Sequence, residues 1–500
     1  MKRFPILTAG LGVLLGSTLF AAAPQLSLST TGGPPTTQIK ATVAGFAASE
    51  AVDVYFDTTD LALGVTNASG AFTNLTLTVP KSAAPGPHWL TAVGRRAGDA
   101  SQISFQVATP WNQLGFGARR NGFNSYENVI DSSNVASLEN TGFATTTIAV
   151  GANTVTANGL TYACAYNNNQ INSYVAFDAT GAKVWSTQVS GVSACSTPTL
   201  ANGVLYGLTF ENITANDKLY AFNAATGAVL WSRVTSGAPY THSPAVVNGI
   251  VYVGTGVNSA SGTLDAFDAV TGVKKWSFQA GGSVNSNPAV VGGVVYFATY
   301  SGTVFAVNAV TGVQVWTASG PTADQYNVAV SNGAVYISGN GAITAFSVGS
   351  GLTLWSFPTS GGFGSPAVFN SRVFVGESDS SGYSYITALD AGSGNLVWRE
   401  NLDGFCGYVS GANGVLYVPT YNGTIHAFNP ADGTPLWTGF TGSHPSFGYP
   451  AAMVADGTVS VPGDNGIKIF GLNAAAARTH GPVAPPQIKT LKPDYSLSVR

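Results

Sequence analysis

Charge is scarce in this chain. Lys, Arg, Asp and Glu make up 9% of its 500 residues, where about a quarter is usual for a globular protein. The charges nearly balance, at a net −3, and no basic stripe gathers them, which argues against a nucleic-acid partner. Long apolar runs are missing beyond the first two dozen residues, so no later stretch of about 18 residues could cross a bilayer as a helix. Cysteine occurs three times, at Cys164, Cys195 and Cys406, without a Cys-x-x-Cys pair. That leaves a thiol-bound zinc site or a thioredoxin-like centre without support and allows at most one internal disulfide. Abundant instead are glycine, at 61 residues, and Ser, Thr and Asn, with 45% hydrophobic and 11% aromatic residues. Such a mixture favours short strands and tight turns, and the fold class expected is all-β.

Met1-Lys2-Arg3, the apolar stretch Phe4 to Phe20 and the small residues Ala21 to Ala23 read as a signal peptide over 1–23, with a retained anchor as the alternative. Export to the periplasm or the extracellular space follows, without a membrane span in the mature chain. Residues 25–108 alternate apolar and polar positions in short runs, as in Val52-Asp53-Val54-Tyr55-Phe56, divided by turns such as Asn67-Ala68-Ser69-Gly70. An immunoglobulin-like β-sandwich fits that pattern. The Ala- and Pro-rich residues 475–500 are expected to be disordered.

From Trp111 onward the chain repeats. Trp185, Trp231, Trp276, Trp316, Trp355, Trp398 and Trp437 follow at spacings of 46, 45, 40, 39, 43 and 39, each four residues after a glycine. Ahead of each glycine stands a turn such as Asp268-Ala269-Val270-Thr271, and ahead of that a strand such as Val251-Tyr252-Val253. Four strands per unit form a sheet that cannot bury both faces alone, and stacking copies around an axis buries them. A copy without tryptophan, Gly457 to Ala474, follows the seven. The expectation is therefore an eight-bladed β-propeller over 111–474, rather than a seven-bladed one. Its last blade borrows an outer strand from the start of the repeat region, where Phe143 stands in for the eighth tryptophan.

The unit Ala-Phe-Asp-Ala-x-Thr-Gly-x-x-x-Trp, nearly complete at Ala266 to Trp276 and Ala221 to Trp231, resembles the pyrroloquinoline-quinone (PQQ) propeller repeat. The lead-in Trp111-Asn112-Gln113-Leu114-Gly115 with Arg119-Arg120-Asn121-Gly122 is similar to the opening segment of many members. The resemblance covers about three quarters of the chain and implies the fold. Function divides between two branches. Quinoprotein dehydrogenases hold PQQ and usually calcium under an adjacent cysteine pair, and this sequence has no such pair. The BamB-like branch binds protein partners and catalyses nothing. The reading favoured here is a non-catalytic, monomeric envelope scaffold without cofactor, binding a protein or another envelope component. The alternative is a PQQ-dependent dehydrogenase with an atypical site.

Loops leading into the inner strands ring one mouth of a propeller channel. Here they carry Tyr240, His242, Asn285, Gln325, Tyr326, Phe363, Phe405, His444 and Tyr449, a mouth rich in aromatics, amides and hydroxyls. These are the candidate binding residues, against the plainer reading that they only satisfy backbone groups. No third ligand accompanies His242 and His444, so no metal site is expected. Cys195 and Cys406 share one repeat position in blades far apart. Cys164, two residues beyond the strand tyrosine Tyr162, falls near Cys195 on the adjacent blade. If a disulfide forms, the pair expected is Cys164–Cys195 with Cys406 free; otherwise both thiols are buried and reduced.

Overall fold

The computed structural model describes residues 23–96, 98–145, 149–150, 153–157, 159–166, 172–189, 194–210, 217–237, 242–256, 261–322, 328–359, 364–378, 381, 383–442, 450–463, 466–473, 485–494 and 496–497. Strands dominate: two 3₁₀ turns, Val135–Ser137 and Ile488–Thr490, are the only helical elements among the described residues. No described helix is long and apolar enough to cross a membrane. Of the signal peptide expected over 1–23, residues 1–22 lie outside the described residues.

The N-terminal region is a sandwich of two sheets, one of three strands and one of five. Strand alternation builds it. In Gln38–Ala44 the residues Ile39, Ala41 and Val43 point inward and their neighbours outward, and Val52, Val54 and Phe56 answer from the facing sheet. The five-stranded sheet also buries part of its other face, where Tyr55 and Thr91 are inaccessible. Across that face runs the C-terminal segment. Gln102 Nε2 donates to Pro486 O at 3.0 Å, and the Asp494 N–H donates to Asp60 Oδ2 at 2.8 Å. The expectation of a tail without structure is thus corrected for residues 485–494. Their backbone finds partners on the sheet and forms a strap.

Among the described residues eight further sheets follow, each built on four antiparallel strands from the inside out; in the first two a further short strand shares the inner edge, and in the seventh Phe123–Asn124 adds a parallel strand there. The first blade runs through Leu160–Tyr166, Asn172–Asp178 and Lys183–Val189, the third from Ala245–Val247 to Lys274–Gln279, and the others repeat the plan. The eighth takes Met453–Ala455, Thr458–Gly463 and Gly466–Leu472 from the end of the chain and its outer strand, Leu138–Thr145, from the beginning. N- and C-terminal segments therefore share one sheet, which closes the ring without a free edge at the join.

Tryptophans lock successive blades. Each pairs with the alanine of its own Ala-Phe-Asp-like strand, as Trp276 with Ala266, and its indole N–H donates to the turn of the next blade, as Trp355 to Ala391 O at 3.0 Å. Trp437 donates to Leu138 O at 3.1 Å, which carries the pattern across the join. Phe143 does not take the eighth tryptophan position in the register. Gly142 stands opposite Ile469, the residue equivalent to those alanines, and Phe143 stands one step on, opposite Lys468. The spacing argument counted residues across a connecting loop, whose length packing does not fix.

Candidate functional site: the axial channel and its two ends

Inner strands converge on the axis, where the middle residue of each has backbone groups that its own blade leaves without partners. The lead-in segment Trp111 to Asn124 supplies the missing partners. Trp111 exchanges two backbone bonds with Thr156 of the first blade. Leu200 N–H donates to Asn112 O in the second, and the Gln113 side chain brackets Val246 in the third. The N–H groups of Val290, Val330, Val368 and Gly411 donate to the carbonyls of Ala118, Arg119, Asn121 and Gly122 at 2.7–2.9 Å. Asn124 Nδ2 completes the circuit on Val454 O at 2.8 Å. All eight receivers hold the same position in their blades, so one segment visits every blade and closes this end of the channel. Such tight curvature needs left-handed backbone at Gly115, Phe116, Gly117, Arg120 and Gly122.

The segment also fills the lumen. Trp111 and Leu114 pack with Tyr408 and Met453 from the seventh and eighth blades. Arg120 is fully buried. Its Nε donates to Pro288 O, its Nη1 to Leu114 O, and its Nη2 to Ser243 O and Pro244 O, at 2.7–3.0 Å. The Ser243, Pro244 and Pro288 carbonyls open the inner strands of the third and fourth blades and Leu114 lies in the lead-in, so the guanidinium acts as a strut between lead-in and ring. Burial pulls its pKa down to about 9, which leaves it charged at neutral pH. His242, adjacent to Ser243, is also buried. Burial first and the Arg120 charge second push its pKa down to about 4, so the imidazole is neutral.

The expected mouth residues are placed unevenly. His242 turns inward and is inaccessible rather than part of a surface. Asn285 is half-buried and accepts a hydrogen bond from Ser283 Oγ at 2.7 Å. Phe405 presents its ring to solvent at 47% exposure. Tyr240, Gln325, Tyr326, Phe363, His444 and Tyr449 lie outside the described residues. Cys164 and Cys195 are joined in a disulfide, with Cα atoms 5.9 Å apart, between the first blade's second strand and the second blade's entry. Cys406 is free and buried. Arg120 has no role that the sequence pattern alone assigns. The available signal was a paired Arg119-Arg120 in a charge-poor chain, set among closely spaced glycines.

The family model described as outer membrane protein assembly factor BamB matches residues 172–341 and 339–490. No curated protein matches the chain. Among solved structures, the quinohemoprotein alcohol dehydrogenase from Comamonas testosteroni is 15% identical with a TM-score of 0.61, covering 76% of this chain and 82% of that one. A europium-containing methanol dehydrogenase is 14% identical with a TM-score of 0.58, covering 73% and 98%. BamB from Moraxella catarrhalis is 16% identical with a TM-score of 0.51, covering 68% and 99%. At these identities the structural likeness shows a shared propeller fold and nothing finer.

Proposed function

Since the chain belongs to the family described as outer membrane protein assembly factor BamB, we propose that it is an exported, non-catalytic scaffold that binds a protein partner at the mouth opposite the lead-in segment. In this reading the signal peptide is removed, the mature chain is a monomer of the cell envelope, and the immunoglobulin-like sandwich is a spacer. The observation that carries the reading is the filled lumen. Trp111, Leu114 and Arg120 occupy the axis from one end, so recognition is left to the loops of the other mouth, where Phe405 is exposed. An exposed aromatic on a loop held by a rigid ring is a common anchor for a protein interface.

No cofactor enters this reading. Arg120 is a charged group on the axis and spends its donors on four backbone carbonyls. Among the described residues no group of three His, Cys, Asp or Glu gathers to hold a metal. The test is a photo-crosslinking residue at position 405 of the exported chain. Recovery of one recurrent envelope protein is expected. Absence of a crosslink at 405, together with a stoichiometric chromophore after addition of PQQ and Ca²⁺, would reverse the assignment in favour of a dehydrogenase.

A further inference from the structure

We propose a second binding site, on the outer side of the lead-in segment at the closed end of the ring, that takes the carboxylate-bearing C-terminal end of an extended peptide. A cleft of about 520 Å³ opens there, lined among others by Pro34, Asn112, Phe116, Arg119, Asn121 and Tyr126. Its size falls within the range of about 300–1,000 Å³ usual for ligand sites.

The cleft follows from how the segment is used. Its backbone faces the ring and is consumed there, and Trp111, Leu114 and Arg120 fill the lumen. The alternate side chains Asn112, Phe116 and Arg119 are left to line the other side. Arg119 spends its carbonyl on Val330 N–H, yet the residue is exposed and its guanidinium makes no ion pair or hydrogen bond among the described residues. Every other described arginine is engaged: Arg95 with Asp53, Arg96 with the carbonyls of Ala48 and Ser49, Arg233 with Thr271 O, Arg372 with Asp390, Arg399 with Glu377, and Arg120 with the ring. In a chain this poor in charge, a single uncommitted fork of donors over a cleft is conspicuous.

Backbone strain supports the same place. Phe116 adopts a φ of +57°, a costly conformation for a side chain of its size and one that tends to cluster at ligand clamps. Its ring rests edge-on against Trp111 at 5.3 Å and tilts toward Tyr126 at 6.1 Å, which makes an aromatic wall between lumen and cleft. No carboxylate lines the cleft, so its electrostatic complement is an anion. A guanidinium matches a carboxylate with two parallel bonds. The aromatic and proline walls suit an apolar last side chain, and the amides of Asn112 and Asn121 suit a peptide backbone.

The test uses the full chain, immobilised, and two libraries of random tetrapeptides, one with free C-terminal carboxylates and one amidated. Retention from the carboxylate library alone is expected, enriched in apolar last residues. Arg119→Gln should weaken it about tenfold or more, the usual worth of a charge-assisted bond, and Arg119→Lys should restore part of it. Arg119 meets the ring through its backbone carbonyl on Val330 N–H, which a side-chain substitution keeps, so these variants should fold as the parent does, and thermal melting checks that they do. Phe405→Ala, at the opposite mouth, should leave retention unchanged, which separates this site from the partner-binding one. Equal retention of both libraries, no retention from either at millimolar peptide, or indifference to Arg119→Gln would overturn the proposal. Capture of a carboxylate-bearing sugar in place of the peptides would also overturn it.

Discussion

The indole of Trp276 lies so close over Gly312 of the next blade that a methyl group added to that glycine would sit 2.8 Å from the ring. The same approach recurs at Gly227 under Trp185, Gly272 under Trp231, Gly351 under Trp316, Gly394 under Trp355 and Gly433 under Trp398. Each of these turn glycines thus serves twice. It supplies a positive φ, and it leaves room for the neighbouring blade's tryptophan.

These two demands can be separated. Gly312 has φ +72° and a blocked Cβ direction, whereas Gly333 has φ +76° and open space around it. Gly333→Ala should cost about 1–2 kcal/mol for the left-handed backbone alone. Gly312→Ala should cost a further 1–3 kcal/mol, roughly, for overpacking. Urea unfolding of both variants measures the difference. Equal losses would show that the tryptophan yields without strain.

A second relation joins Trp355 and Tyr336, which both donate to Ala391 O of the following blade, at 3.0 and 3.3 Å. Trp231 with Tyr206, and Trp276 with Tyr252, repeat it on Ala269 O and Ala309 O. Removing either donor leaves the buried carbonyl one partner, and removing both leaves it none. Trp355→Phe and Tyr336→Phe should each lose about 0.5–1.5 kcal/mol from the hydrogen bond, with the indole's lost packing added to the first. The double variant should lose about 1 kcal/mol more than their sum. A double-mutant cycle in urea tests it, and strict additivity would refute the shared acceptor.

Why some of this was legible in the sequence and some was not follows from what each feature asks of side chains. Tryptophan and glycine recur because each copy meets the same packing problem, so the blades announced themselves. The closing strand could be inferred because the final copy, ending near Asn473, lacks one. Phe143 was misplaced by one residue because the inference counted across a loop. The circuit from Trp111 to Asn124 was invisible because most of its bonds run from backbone to backbone, and those leave little mark on residue choice. The mouth loops differ from copy to copy, so no period could rank Phe405 above the buried His242.

The C-terminal strap should respond to pH. Asp60 accepts the Asp494 N–H, and burial, with the nearby Asp53 charge as a lesser cause, raises its pKa to about 6, against the lowering effects of that hydrogen bond and of Arg95. Asp53, Arg95 and Asp494 are the charged groups facing it. Below the ordinary value of 3.8 the carboxyl is protonated in the folded and the unfolded chain alike. Between there and about 6 the folded form holds the proton more tightly. The folded arrangement around Asp60, strap included, is therefore favoured on the acid side and weakens as pH rises through 6. Hydrogen exchange over residues 486–494, corrected for its intrinsic pH dependence, should show protection falling across that window. Asp60→Asn should flatten the profile, and a profile unchanged by the substitution would exclude Asp60 as its origin.

The disulfide offers the most direct test of the repeat geometry. Cys195 bridges to Thr209, and Cys406 to Thr420 at the same step of the seventh blade. Cys164 lies two residues beyond Tyr162, and Gly376 lies two beyond Phe374, the aromatic that pairs with Ala388 as Tyr162 pairs with Ala176. Cys406 thus faces a glycine where Cys195 faces its bonded partner. The Cα separation of 5.9 Å in the existing bridge falls within the roughly 4.4–6.8 Å that disulfides span. Gly376 is buried and is not among the positive-φ glycines, so its backbone accepts a side chain. Burial raises the Cys406 thiol to about 12, which keeps it unreactive in the folded chain, so the new bond should form during oxidative folding. Gly376→Cys should then close a 31-residue segment, 376 to 406 inclusive, and add about 3–4 kcal/mol if unstrained. Alkylation of the denatured, unreduced proteins followed by mass spectrometry should find one free thiol in the parent and none in the variant. Two free thiols in the variant would mean that the sixth and seventh blades do not repeat the geometry of the first and second.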